Sequence, residues 1–355
     1  MGLSSGDPGA FRIAVLAAHW LGDTFWGLQL VPFLRSRFPS AQIDLLVHPE
    51  NRWLAELWAP KQRVHDVHGL VRDRLREGSW SPWTLWRRSR QLRARLGKVD
   101  LFIDLTGTPA SGFLTRLVGP RRSIGLAGRG FCSLFYNTFR TTGDFRGHLA
   151  KRPWWLLEPH YGGFAAWPSA DEQMQPLLPG SPEWQARGAD AVLLFPGAGW
   201  MQKQWPLELF VDLAKQLQRD GQSAYLLFSE REQALAARSP ALDVESSGIQ
   251  IRVTDGPAML RMLRSATAVV ANDSGGAHLA AAWGIPTVAL FGPTNPGICG
   301  PLGRTTRILR TSCQDRPEGG QHHCHDRPAY NCPRTCMESI SPRQVRDALI
   351  SLLQE

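Results

Sequence analysis

Residues 266–301 read ATAVVANDSGGAHLAAAWGIPTVALFGPTNPGICGP, and the periodicity of this stretch decides the fold. Ala268-Val269-Val270-Ala271 is a short apolar run of the kind that fills a buried parallel strand. Residues 272–276, Asn-Asp-Ser-Gly-Gly, break it with cap and turn chemistry. Residues 277–283 are rich in Ala and Leu and predict a tightly packed helix. Gly284 ends that helix, and Pro286 stands where it could not continue. Residues 287–291, Thr-Val-Ala-Leu-Phe, give a second buried strand. The result is a strand–helix–strand unit with its polar loop at the carboxyl end of the first strand, the end at which open α/β sheets bind ligands. A helix beginning at Ser274-Gly275-Gly276 turns free amide N–H groups outward. Its two glycines allow close approach, and its dipole favours negative charge there. Taken alone, the loop also reads as an ordinary αβ unit with a good N-cap.

A wider pattern favours the first reading. Asp273-Ser274-Gly275, His278, Ala281-Ala282, Gly284 and Pro286 are followed by Phe291-Gly292-Pro293-Thr294-Asn295-Pro296. This resembles the donor-site signature of glycosyltransferase family 9, the ADP-heptose:lipopolysaccharide heptosyltransferases. The resemblance implies an α/β protein of two Rossmann-like lobes facing each other across a cleft, the GT-B glycosyltransferase fold. The first lobe would bind the acceptor and the second the nucleotide-sugar.

Working upstream, a second sheet begins at Ala191-Val192-Leu193-Leu194-Phe195. Pro196-Gly197-Ala198-Gly199 follows, then Lys203-Gln204-Trp205-Pro206. A dinucleotide fingerprint would need a third glycine where Gln202 stands, so hydride chemistry on a nicotinamide cofactor is not expected. The segment resembles the other donor-side motif of the family. That resemblance implies Gly197, Ala198 and Gly199 at the donor, and Lys203 neutralising the leaving diphosphate. A compact ammonium suits such a task; by base rate alone Lys203 is a surface lysine. Leu209, Phe210, Leu213, Ala214 and Leu217 fall on one face of the next helix. Further strands are expected at residues 224–228 and 249–253. Glu230 and Glu232 follow the first of these. The family's acidic contact to ribose or base points to Glu230, and either residue also reads as a solvated carboxylate. Asp273, Ser274, Gly275, Gly276 and His278 complete the donor set implied by the resemblance, His278 either approaching the donor or orienting the loop.

In the first half, Phe11 to Ala18 is a strand. A helix then runs from His19-Trp20-Leu21-Gly22-Asp23-Thr24 towards Arg37 and stops at Phe38-Pro39. Strands follow at 42–48, 64–70, 100–105 and 122–125, with helical stretches at 50–57 and 111–117, the alternation of a doubly wound parallel sheet. Asp23 lies at the carboxyl end of the first strand. It reads either as a first-turn aspartate favouring the helix dipole or as a general base, and its Leu21-Gly22-Asp23 context resembles the family segment whose Asp has that second role. Gly22 and His19 join it as acceptor-side candidates. The match is looser here: Ala17 stands where the family carries a basic residue, and Gln29 where it has Pro, so His19 or a nearby arginine is needed to hold an anionic acceptor.

The chain has 355 residues and a formal net charge of +9, which suits two domains and acidic partners. The expected organisation is an acceptor lobe over residues 1–170, a Pro- and Gly-containing linker over 171–189, a donor lobe over 190–340, and a helix over 341–355 that packs back on the first lobe. Residues 71–98 are strongly basic, with Arg72, Arg74, Arg76, Arg87, Arg88, Arg90, Arg93 and Arg95 beside Trp80, Trp83 and Trp86. This stretch is either a solvated helical face with Trp packed inward or a patch for anionic lipid or a phosphorylated acceptor. No nucleic-acid motif accompanies the charge, so nucleic acid is not an expected partner. Cys313, Cys324, Cys332 and Cys336 lie near His322, His323 and His325, yet no C-x2-C pair marks a zinc site. No signal peptide or membrane span is read, so a cytoplasmic protein with reduced thiols is expected, with peripheral contact to the cytoplasmic face of the inner membrane. The resemblance implies single inverting transfer of heptose from ADP-heptose to a lipid-linked or phosphorylated saccharide acceptor, with no cofactor and no divalent metal. Rival readings are a same-fold transferase using another nucleotide-sugar or a protein acceptor, and a non-catalytic nucleotide- or anion-binding module.

Overall fold

The computed structural model describes residues 11–67, 70, 82–127, 134–162, 191–237, 249–311 and 335–355. The chain divides into two compact units, Met1–Trp167 and Pro168–Glu355. The first carries strands β1 (Arg12–Leu16), β2 (Gln42–Val47), β3 (Val64–Asp66), β4 (Leu101–Asp104), β5 (Arg122–Ala127) and β6 (Thr138–Thr141). Its helices are α1 (Leu21–Leu28), α2 (Leu30–Arg37), α3 (Arg52–Ala55), α4 (Pro82–Leu96), α5 (Pro109–Val118) and α6 (Arg152–Tyr161). The second carries β7 (Ala191–Phe195), β8 (Ser223–Ser229), β9 (Gln250–Thr254), β10 (Ala266–Asn272), β11 (Thr287–Phe291) and β12 (Thr306–Arg310). Its helices are α7 (Leu207–Arg219), α8 (Gln233–Ala236), α9 (Gly256–Arg264), α10 (Gly275–Ala282), α11 (Pro296–Cys299), α12 (Thr335–Glu338) and α13 (Pro342–Gln354).

Both sheets are parallel throughout and share one topology. The first runs β3-β2-β1-β4-β5-β6 and the second β12-β11-β10-β7-β8-β9, the same order read from the other edge. This is the doubly wound order, in which the winding reverses between the first and fourth strands and leaves a crevice at their carboxyl ends. In the first unit that point lies beyond Leu16 and Asp104, in the second beyond Phe195 and Asn272. The central strands read as apolar runs because both faces are covered: β7 and β11 are buried at every position. Gly284 closes α10 with φ of 71°, a left-handed conformation that costs glycine little, while Ile285 N–H donates to Ala280 O at 3.0 Å.

The single helix expected from His19 towards Arg37 is two helices, α1 and α2, meeting at Gln29. Pro32 has no N–H to offer the Leu28 carbonyl, so the ladder is interrupted one turn before it. Helix α6 ends at Tyr161, with Gly162 as its C-cap. The proposed linker at 171–189 lies outside the described residues. Helix α13 is built into the second unit. Its apolar face, Val345, Ala348, Leu349 and Leu352, is part of the second unit's own core together with Phe210, Leu213 and Leu217 of α7. The Trp205 indole N–H donates to Ile340 O at 2.9 Å, and Arg346 pairs with Asp220 at 2.5 Å. The buried face of this helix belongs to the sheet it follows.

Candidate functional site

In the second unit the loops after β7 and β10 converge at the switch point. Asn272, fully buried at the end of β10, ties them together. Its Nδ2 donates to Pro196 O at 2.8 Å and its Oδ1 accepts the Trp205 N–H at 2.9 Å. The loop from Pro196 to Trp205 is thus clamped at both ends by one side chain. Within that loop a short 3-10 turn, Met201–Lys203, aims the lysine at the next residue of the β10 loop. Lys203 Nζ lies 2.6 Å from Asp273 Oδ2, with the two side chains 15 % and 5 % exposed. The same oxygen accepts the Thr294 hydroxyl at 2.7 Å. The Lys203 ammonium also lies 4.9 Å from the centroid of the Trp200 ring. Asp273, expected as a donor contact, is thus paired with Lys203 and held by Thr294.

Ser274 is the N-cap of α10, yet its side chain makes no capping bond. The first-turn amides of the helix are not capped by that side chain, and the positive end of the dipole lies behind them. Gly276 has a further reason to be glycine: a Cβ there would lie 3.0 Å from the Phe195 ring. His278 is buried one turn into the helix. Gly197 is buried, and a Cβ built on it would run into the Glu232 carboxylate. Ala198 and Gly199 continue the same turn, Gly199 exposed with open space at its Cβ position. Of the two acidic residues after β8, Glu230 is exposed, while Glu232 lies against Gly197 and accepts the Ser229 N–H at 2.8 Å. The structure thus brings Glu232 to the Gly197 turn. Its signal in the sequence was the capping-box spacing Ser229 to Glu232.

In the first unit Asp23 sits in the first turn of α1, half-buried. It lines a pocket with His19, Trp26, Leu105, Leu126 and Arg152. The turn before it is braced from several sides. Asn51 Nδ2 donates to His19 O at 2.8 Å and to Thr24 Oγ1 at 2.9 Å, while Thr24 Oγ1 donates to Ala17 O at 3.0 Å. The His19 ring bonds Thr106 O at 3.0 Å, and Gly22 is buried within α1. Arg152, the first residue of α6, brings a guanidinium to this pocket. Nothing local in the sequence marked it, because 129 residues separate it from Asp23 and only the sheet order joins them.

Asp104 is fully buried at the end of β4, immediately before Leu105, which lines the pocket. It accepts the Tyr136 hydroxyl at 2.6 Å and the amide N–H groups of Thr106 and Gly107 at 2.8 and 3.3 Å. Burial nevertheless pushes its carboxyl above the usual range, against the lowering effect of those bonds. A carboxyl raised on folding contributes stability that is complete below its unfolded value of 3.8 and is lost as pH rises through its folded value. Asp104→Asn lacks that loss: its Oδ1 can keep accepting the two amide N–H groups, while its Nδ2 can only donate to the Tyr136 oxygen, reversing that bond. Its stability relative to the wild type is expected to improve as pH rises above about 4, where the wild type begins to lose that contribution. Urea midpoints at three pH values read this; a gap that stays constant or narrows with pH would contradict it.

Cys313, Cys324, Cys332, His322, His323 and His325 lie outside the described residues. Cys336 is buried in the second unit's core beside Met337. Among the described residues no group of three or more His, Cys, Asp or Glu side chains converges as metal ligands.

The model of glycosyltransferase family 9 (heptosyltransferase) matches residues 87–326, two-thirds of the chain. Lipopolysaccharide heptosyltransferase 1 of Pseudomonas aeruginosa is 27% identical over 368 residues, covering 96% of this chain and 98% of that protein. Among solved structures, Escherichia coli ADP-heptose lps heptosyltransferase II superposes with a TM-score of 0.74 at 22% identity, covering 97% of this chain and 99% of that one. Escherichia coli heptosyltransferase WaaC with ADP gives 0.68 at 18% identity, covering 96% and 100%. The two doubly wound units are the GT-B architecture of these transferases. Lys203, Asp273 and the amino end of α10 fall within the matched span, and this chain belongs to glycosyltransferase family 9, the heptosyltransferases.

Proposed function

We propose that this protein transfers a heptose from ADP-heptose to a lipopolysaccharide inner-core acceptor carrying Kdo or heptose on lipid A, with inversion at the anomeric carbon. The observation that carries the reading is the Lys203 ammonium held 2.6 Å from Asp273 beside the uncapped, glycine-led α10. Such an arrangement suits a diphosphate. It offers one point charge and several amide donors, and it gains strength as negative charge develops on the departing ADP. Asp23 takes the proton from the acceptor hydroxyl as that oxygen attacks the anomeric carbon. The C–O bond to the diphosphate breaks, and ADP leaves against Lys203 and the amides of Ser274, Gly275 and Gly276. Gly197, Ala198, Gly199, Glu230 and His278 shape the remainder of the donor site, with Glu232 packed against Gly197. On the acceptor side Gly22 keeps the turn close, and His19 and Arg152 hold an anionic sugar in place of the basic residue that Ala17 replaces. The acceptor is anchored in lipid, so the enzyme works at the cytoplasmic face of the inner membrane.

The test is transfer itself: purified protein, ADP-heptose and a Kdo- or heptose-bearing lipid A acceptor, with product followed by mass spectrometry. Heptose addition is expected. Absence of product with ADP-heptose alongside transfer from another nucleotide-sugar would overturn the donor assignment. The positive charge in the donor site comes from side chain and backbone, so turnover is expected to survive 5–10-fold excess EDTA over any carried-in metal with less than about twofold loss. Complete loss restored by Mg²⁺ would remove Lys203 and α10 as the diphosphate's counter-charge.

A further inference from the structure

Helix α4 has two unlike faces. Ser89, Leu92 and Leu96 point inward and are 1 %, 5 % and 0 % exposed, the two leucines joining the first unit's core. Trp83, Trp86, Arg87, Arg90 and Ala94 recur at helical spacing on the other side and are all exposed. Trp83 is 65 % exposed, high for an indole, which normally covers most of its apolar area. The outward aromatics are also organised. Trp83 and Trp86 stack with ring centroids 4.8 Å apart, and the Arg90 guanidinium lies 4.8 Å from the Trp86 ring. The helix contains five arginines and no acidic residue. Among the described residues Arg87, Arg90 and Arg93 form no ion pair. A cavity of about 750 Å³ opens beside this face, lined by Trp86, Ser89, Arg90, Arg93 and Lys98.

We propose that the outer face of α4 docks on an anionic phospholipid bilayer, with Trp83 and Trp86 at the headgroup boundary and a lipid phosphate taken into the cavity by Arg90, Arg93 and Lys98. Charge complementarity names the occupant: a face of exposed arginines with no carboxylate repels other cationic surfaces and attracts anionic lipid. The exposed, stacked indoles add what a soluble polyanion would not reward, because amphipathic rings settle at the interface between water and acyl chains. A helix with apolar anchors and flanking cations on one side lies in the interface plane rather than spanning it. No helix of the described residues is long and apolar enough to cross a membrane. The surface belongs wholly to the first unit and uses none of the donor residues, so it stands or falls apart from the identity of the transferred sugar.

The test is sedimentation of the full-length protein with vesicles of 30 mol % phosphatidylglycerol in phosphatidylcholine, against pure phosphatidylcholine. Binding to the anionic vesicles is expected, weakening as salt rises from 0.1 to 0.5 M. Arg87→Ala with Arg90→Ala should lower the partition coefficient about 20- to 30-fold, taking about fivefold per basic residue. Trp83→Ala alone should lower it about tenfold. Melting temperature and ADP affinity should stay unchanged in both variants, which separates lost docking from lost folding. Equal binding to both vesicle types, no binding at all, or a Trp83→Ala protein that binds like the wild type would overturn the proposal. The last outcome would make the face a plain polyanion patch.

Discussion

Asp23→Asn is expected to cut turnover by about 10²–10⁴-fold, the span of a positioned general base, while ADP binding stays within about twofold of the wild type. The substitution keeps the shape of the side chain and removes only its ability to accept a proton. Asp23 also sits in the first turn of α1, where a carboxylate favours the helix dipole. That effect is small: losing it costs about 0.3–1 kcal/mol of stability and cannot by itself change a rate a hundredfold. The two roles therefore separate cleanly. A structural aspartate gives a slightly lower melting temperature and near-normal turnover, which would remove Asp23 as the base. A catalytic one gives the same small drop in melting temperature together with a lost rate. The braces on the preceding turn, Asn51 on His19 and Thr24 on Ala17, do not involve the Asp23 side chain and persist in the variant. Donor affinity is an independent control, since the donor-side groups lie in the second unit. Titrating ADP by calorimetry alongside single-turnover transfer checks both halves.

Several parts of this protein were legible in the sequence for physical reasons. The central strands are continuous apolar runs because both sheet faces are covered, and strand–turn–helix punctuation set the loops at their carboxyl ends. Edge elements were harder. β6 and β12 carry alternating or charged residues, Thr-Phe-Arg-Thr and Thr-Arg-Ile-Leu-Arg, and lie at sheet margins where one side faces solvent. Neither periodicity nor composition distinguishes such a segment from a loop. The break at Gln29 had a visible cause in Pro32. The return of α13 to its own sheet did not, because an amphipathic face says that something covers it and not what. Within the site, the glycines and Lys203 could be picked out by motif. The contacts that give them meaning join residues far apart in the chain: Asn272 to Trp205 across 67 residues, Lys203 to Asp273 across 70, and Arg152 to the pocket of Asp23. Strand order alone makes these neighbours.

The Lys203–Asp273 pair yields the second large effect, and it discriminates by dissociating stability from rate. Lys203→Met removes the ammonium that meets the diphosphate and is expected to lower kcat/KM by about 10²–10³-fold, the size seen when one stabilising donor is withdrawn from a developing charge. It also strands Asp273, 5 % exposed, with the Thr294 hydroxyl as its remaining close donor. Breaking a mostly buried pair from one side costs about 3 kcal/mol, since the surviving charge is no longer compensated. Asp273→Asn in the same chain neutralises that charge and still accepts the Thr294 hydroxyl. The double variant should therefore recover most of the lost stability, to within about 1 kcal/mol of the wild type. Its transfer rate should stay at the level of Lys203→Met, because nothing positive has been returned to the leaving group. Asp273→Asn alone should fall between, retaining the ammonium but not its aim. Denaturant midpoints and kcat/KM for the four proteins complete the cycle. If the double variant regains activity together with stability, the pair is a structural clamp and the diphosphate finds its counter-charge elsewhere. If stability returns and activity does not, the ammonium acts on the donor and the carboxylate acts through it.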